Sequence, residues 1–118
     1  MANDFKRFCV PNVGTSLTTL YAVPAGASSA ALESIVIGIT MANKTSTGVT
    51  ASIFIDNEDG TNDVFIVKDA SIPAGASLEV MSGNKLVLQN DGTNGDNLEG
   101  TCSVANSLDV TISVLEDV

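Results

Sequence analysis

A chain of 118 residues with 44% hydrophobic, 16% charged and 4% aromatic residues is enough for one compact domain. Five Lys and Arg against fourteen Asp and Glu give a net charge of −9, and His and Trp are absent. The composition excludes Ser–His and Cys–His nucleophile pairs and histidine-based zinc sites, and two cysteines cannot close a structural zinc site by themselves.

Residues 1–14 read as an arm ahead of a domain spanning 15–118. Phe5 and Phe8 flank Lys6-Arg7, the only adjacent basic pair in the chain. Such an arm either folds over its own domain or reaches a neighbouring subunit. In the second case Phe5 and Phe8 act as anchors, and Lys6 and Arg7 meet an acidic partner surface. The opening residues lack the apolar stretch of a signal peptide, and no apolar run approaches the ~18 residues of a membrane span, so synthesis in the cytoplasm and no membrane partner are expected.

From there the dominant pattern is period-two alternation, the mark of half-buried strands. In 16–23, Leu17, Thr19, Tyr21 and Val23 share one face. Pro24-Ala-Gly26-Ala-Ser28 turns the chain. In 34–42, Ile35, Ile37, Ile39 and Met41 line one face and Val36, Gly38, Thr40 and Ala42 the other, which predicts a central strand covered on both sides. Residues 49–55 alternate again, and the acidic stretch 56–63 forms a polar hairpin loop with an Asp59-Gly60 turn. Strand 63–70 places Val64 and Ile66 opposite Phe65 and Val67; Pro73-Ala-Gly75-Ala-Ser77 then leads into 77–81, and Ser82-Gly83-Asn84 turns it back into 85–89. A second polar loop, 90–97, precedes strands 97–104 and 107–115, the latter with Leu108, Val110, Ile112 and Val114 on one face. No window carries an apolar stripe at helical spacing. About eight strands separated by Gly, Asn and Asp turns predict an all-β chain, a single antiparallel β-sandwich of jelly-roll type.

The motif Pro-Ala-Gly-Ala-Ser occurs twice, at 24–28 and 73–77. Proline ends a ladder because it has no N–H, and glycine allows the bend that follows. Both copies read as corners between strands, with Pro24, Gly26, Pro73 and Gly75 as candidate contact residues in strand-end loops. Cys9 and Cys102 read as two buried, reduced thiols, and the sequon Asn43-Lys44-Thr45 as chance.

Little chemistry is carried by the rest. Asp56, Glu58, Asp59 and Asp63 invite a calcium reading, but Gly60 is the fifth residue from Asp56 and no bidentate Glu follows at the twelfth place, so the EF-hand order fails. Loop 90–97, with Asp91 and Asp96, reads as a solvated loop in the same way. A glycosidase would need paired carboxylates across a cleft with aromatic platforms, and the chain offers one Tyr and four Phe. No catalytic, cofactor or metal residue is assigned. Nine of the fourteen acids fall in residues 60–118, where a solvated acidic rim repels nucleic acid.

Several stretches together carry a family resemblance. They are Ala2-Asn3-x-Phe5-Lys6, Val13-Gly14-Thr15 and Thr19-Leu20-Tyr21-x-Val23-Pro24-Ala25-Gly26. Met41-Ala42-Asn43 and Val67-Lys68-Asp69-x-x-Ile72-Pro73-Ala74-Gly75-x-Ser77-Leu78-Glu79 follow. Leu86-Val87-Leu88 and the closing run from Asp109 to Glu116 complete the set. In these the chain resembles the small β-rich virion structural proteins of tailed bacteriophages, especially those of marine cyanobacterial phages. The resemblance implies a non-enzymatic particle component that sits in the virion, touches other virion proteins and forms a homo-oligomer such as a trimer or ring. A capsid decoration or accessory protein is the first expectation and a tail, neck or baseplate component the second. A receptor- or carbohydrate-binding β-module is the alternative of another class.

Overall fold

The computed structural model describes residues 3–57, 63–81 and 85–117. The turn 82–84 and most of the acidic loop 56–63 therefore lie outside the described residues. Among the described residues nine strands build two antiparallel sheets: β1 (Asn3–Val13), β2 (Thr18–Ala22), β3 (Leu32–Asn43), β4 (Val49–Asp56), β5 (Asp63–Ile72), β6 (Ser77–Glu79), β7 (Leu86–Asn90), β8 (Asn97–Cys102) and β9 (Leu108–Asp117). One sheet runs β1-β9-β3-β6, with β7 also paired to β3, and the other runs β2-β8-β4-β5. β7 pairs with residues 32–36 of β3 and β6 with residues 40–42, so two short strands fill one place beside a long one. Counted that way, eight strand positions divide between the sheets in the double Greek-key order of a jelly roll.

The sandwich closes because each sheet has one apolar face. Val36, Ile39, Ile53, Leu88, Leu98 and Ile112 are completely buried between the layers. β9 supplies the most regular row, with Leu108, Val110, Ile112, Val114 and finally Glu116 all turned inward.

The structure corrects the reading of the strands in three places, each with a physical reason. First, residues 3–13 are not an arm but strand β1, paired with β9 from Asn3↔Asp117 to Val13↔Leu108. Its inward row, Asp4, Lys6, Phe8 and Val10, starts with charged residues, which breaks the apolar alternation that marks a strand. Second, β3 is not covered on both sides. A β-bulge at Ile37 separates Val36↔Val114 from Gly38↔Ser113. Before it, Leu32, Ser34 and Val36 are buried; after it, Ile39, Met41 and Asn43 are buried, and Ile37 itself is 40% exposed. One extra residue swaps the faces. Third, a bulge at Leu20 buries both Leu20 and Tyr21 and leaves Leu17 58% exposed, so the predicted Leu17–Val23 face does not form.

The two Pro-Ala-Gly-Ala-Ser copies also diverge. Gly75 has φ +70 in a tight turn closed by Ala76 N–H donating to Pro73 O at 3.1 Å. Gly26 is extended (φ −73) and precedes a short 3-10 turn, Ala27–Ser29. Both copies carry the chain from one sheet to the other, the second from β5 to β6 through the tight turn and the first from β2 to β3 through the short 3-10 turn. Gly75→Ala should cost about 1 kcal/mol through backbone strain alone. No atom lies within 4 Å of the added methyl, so a urea titration would read that strain without a steric clash.

Candidate functional site

The outer face of the β1-β9-β3-β7 sheet is built by the residues that alternate with the core row. Phe5 stands opposite Leu115, Leu115 opposite Ile35, and Ile35 opposite Val87. Four apolar side chains thus form one line across four strands, with Phe5 74% and Val87 54% exposed and the bulged Ile37 beside them. The next row holds Arg7, Ser113 and Gly38, and the one after it Cys9, Thr111, Thr40 and Glu79. A greasy line flanked by these polar rows is the candidate contact surface of the described residues.

Beneath the same end of β1 lies a polar knot. Glu116 ends the inward row of β9 and is 1% exposed. Its Oε2 accepts a hydrogen bond from the Tyr21 hydroxyl at 2.5 Å, and that hydroxyl, its one proton spent, accepts from Ser34 Oγ at 2.7 Å. Its Oε1 meets the Lys6 ammonium at 2.9 Å. Lys6 reaches in from β1 and remains 43% exposed, closing the mouth of the sandwich with its own charge. Phe8 packs on the Tyr21 ring at 4.9 Å between centroids. One buried carboxylate therefore ties β1, β2, β3 and β9 together. A carboxylate out of water is tolerable only with such donors and a countercharge.

Burial, and then the hydrogen bond to Glu116, push the Tyr21 phenol well above its ordinary value near 10. The folded state therefore binds the phenolic proton more tightly than the unfolded chain. Stability from this source is complete below pH 10 and falls as pH rises through and beyond that value. Tyr21 is the only tyrosine and Trp is absent, so near-ultraviolet phenolate absorbance reports it alone. The native protein should show no phenolate at pH 11 until it unfolds, while the urea-unfolded chain should titrate near 10. The Glu116 carboxylate likewise holds the Lys6 ammonium above its usual range, through hydrogen bonding first and charge second.

Of the eight residues singled out by sequence, the fold brings Phe5, Lys6, Arg7 and Phe8 together on β1 but divides their roles. Phe5 and Arg7 face out, while Lys6 and Phe8 face in. Pro24 and Gly26 follow β2 at the end where Ala22 pairs with Asn97; Pro73 and Gly75 follow β5 at the opposite end, where Ile72 pairs with Val49. The two loops cannot form one site. In each, a buried asparagine binds the carbonyl before the proline: Asn90 Nδ2 donates to Val23 O at 2.8 Å and Asn43 Nδ2 to Ile72 O at 3.1 Å. Asn43, the sequon asparagine, is 1% exposed. Cys102 is buried beside Ser107, but Cys9 is exposed on the outer face, correcting the reading of two buried thiols.

Among the described residues no group of three or more His, Cys, Asp or Glu could hold a metal ion. In loop 90–97 the acids are used locally. Asp91 Oδ1 accepts hydrogen bonds from Thr93 N–H and Asn94 N–H, which hold its carboxyl below the usual carboxylate range. Asp96 Oδ2 accepts from Gln89 N–H. Tyr21, Ser34 and Glu116 were not singled out by sequence. The available signal was the β9 alternation, which continues past Val114 to put Glu116 inside.

No protein-family model and no curated protein matches the chain. Among solved structures it is similar to a chain of the Bacillus endospore appendages, a family of disulfide-linked pili. The TM-score is 0.41 at 14% identity, over 96% of this chain and 86% of that one. It is also similar to chains of infectious bursal disease virus. For the Gt strain the TM-score is 0.45 at 14% identity, over 96% of this chain and 30% of that one. For the Gx strain the values are 0.46 and 15%, over 97% and 28%. At these identities and TM-scores the likeness carries no argument about activity or partner.

Proposed function

We propose that this chain is a non-enzymatic structural subunit of a tailed-phage virion, in the first place an accessory protein that decorates the capsid. The observation that carries the reading is the outer face of the β1-β9-β3-β7 sheet: an apolar line from Val87 to Phe5, ending on the edge strand that also carries Arg7. The motif resemblance to β-rich phage virion proteins supplies the particle. The buried carboxylate is consistent with the same reading, because its partners lock four strands together. A charge of −9 suits a part that must stay soluble before it docks and must not adhere to packaged DNA.

Antibody labelling of purified virions tests this reading. Gold particles distributed over the capsid shell support decoration, and gold confined to the tail or baseplate moves the chain to that location. Unlabelled virions from cells that express the chain would overturn the particle role. Binding on a glycan array, with or without calcium, would replace it with a carbohydrate-binding one.

A further inference from the structure

We propose that two copies of this chain join edge to edge through β1, antiparallel and centred on Phe5, into one continuous sheet. The inference deepens the structural-subunit reading by naming a partner, a second copy, and the strand it uses. Each sheet of an open sandwich has two edges, and proteins blunt such edges with short strands, bulges, prolines and charges. Three of the four edges here are blunted in that way. β2 has five residues and a bulge; β6 and β7 have three and five residues; β5 is interrupted twice, once at Asp69 with φ +51. β1 differs. It pairs with β9 without a register shift from Asn3 to Val10, and only then meets Pro11 and a bulge. Of its charges, Lys6 leans inward to Glu116, while Asp4 and Arg7 stay exposed and constrain the register rather than block the edge.

The register follows from symmetry and charge. An antiparallel pair related by a two-fold axis keeps outward residues opposite outward ones, so the axis must pass beside a residue of β1. Centring on Asp4, Lys6 or Arg7 sets that charge against its own copy. Centring on Phe8 runs Phe5 into Pro11. Centring on Phe5 places Asp4 opposite Lys6 of the second copy, and the reverse, on the inner side, while Phe5 meets Phe5 on the outer side. The apolar line then continues without a break from Val87 of one copy, through Ile35, Leu115 and Phe5, to Val87 of the other. Five paired residues with one aromatic contact bury far less than the roughly 800 Å² per partner of a stable independent interface. The pair is therefore weak alone and gains from repetition in an assembly.

Disulfide trapping tests the pair. In a Cys9→Ser background, Phe5→Cys sets two thiols directly across the axis, at the Cα spacing that both antiparallel pairs and disulfides share. With oxidised glutathione as oxidant, this variant should form linked dimers roughly tenfold or more faster than Ala74→Cys in the same background, since paired thiols meet at high effective concentration. Asp4→Lys should remove that advantage by placing like charges opposite each other. Asp4 is 52% exposed but lies 3.8 Å from Lys6 of its own copy. A urea titration of Asp4→Lys, expected to keep its cooperative transition, therefore accompanies the trapping, so that lost trapping of a folded variant is a loss of pairing. Equal rates at the two cysteines, or trapping indifferent to Asp4→Lys, would overturn the β1 pair. Virion labelling would still report the particle role, so the two readings fail separately.

Discussion

Deleting Val110 should abolish the fold, whereas deleting Ile37 should leave it standing. β9 lies between β1 and β3, and both ladders fix its register. Removing Val110 turns the row on one side of the gap over. Thr111, Ser113 and Leu115 would enter the core in place of Ile112, Val114 and Glu116, or else Leu108 would leave it. Two large aliphatic side chains would go to water at about 2 kcal/mol each. Two hydroxyls would be buried without prepared partners at a similar cost. Together these losses rival the roughly 5–15 kcal/mol that holds a domain together. A compensating bulge would have to suit both neighbouring strands at once. Ile37 is the opposite case. Val36 and Gly38 already face successive residues of β9, Val114 and Ser113, so closing the gap keeps every inward pair. Circular dichroism with urea titration should show cooperative unfolding for the Ile37 deletion and none for the Val110 deletion. Cooperative unfolding of the Val110 deletion would mean that β9 does not set the register.

Tyr21→Phe should lower stability by about 2 kcal/mol, the value of a hydrogen bond to a charged group. The ring stays, so packing on Phe8 is kept. What is lost is the donor to Glu116 Oε2 and the link to Ser34. The carboxylate, 1% exposed, then faces the core with Lys6 on its other oxygen alone. In a urea titration the midpoint should fall at constant slope. Adding Glu116→Leu to Tyr21→Phe should recover part of the loss, because no buried charge remains to be satisfied. A change within ~0.5 kcal/mol for Tyr21→Phe would show that the phenol does not support the carboxylate.

Much of this architecture is legible in the amino-acid sequence where alternation is unbroken. β9 reads correctly from Leu108 to Val114, and β4, β5, β7 and β8 fall within a few residues of their expected places. Legibility fails where one residue is inserted or where the inward position is polar. The bulges at Leu20 and Ile37 follow no local composition rule; they are forced by the partner strands, which sequence does not display. β1 reads as an arm because Asp4 and Lys6 sit on its inner side, and only Glu116, more than a hundred residues later, explains Lys6. The apolar line on the outer face is half legible. Phe5, Lys6, Arg7 and Phe8 stand out by composition, but Leu115, Ile35 and Val87 become one line with Phe5 only through strand order. The repeated Pro-Ala-Gly-Ala-Ser motif is a counterexample to reading function from repetition. Its copies fold differently and end at opposite ends of the sandwich.

A subunit that works by touching its neighbours, as proposed, should associate with itself. Sedimentation of the unmodified chain from micromolar to millimolar concentration tests it most directly. The account predicts a rising average mass as concentration increases, with the monomer recovered on dilution. A single monomeric species across the whole range would contradict it.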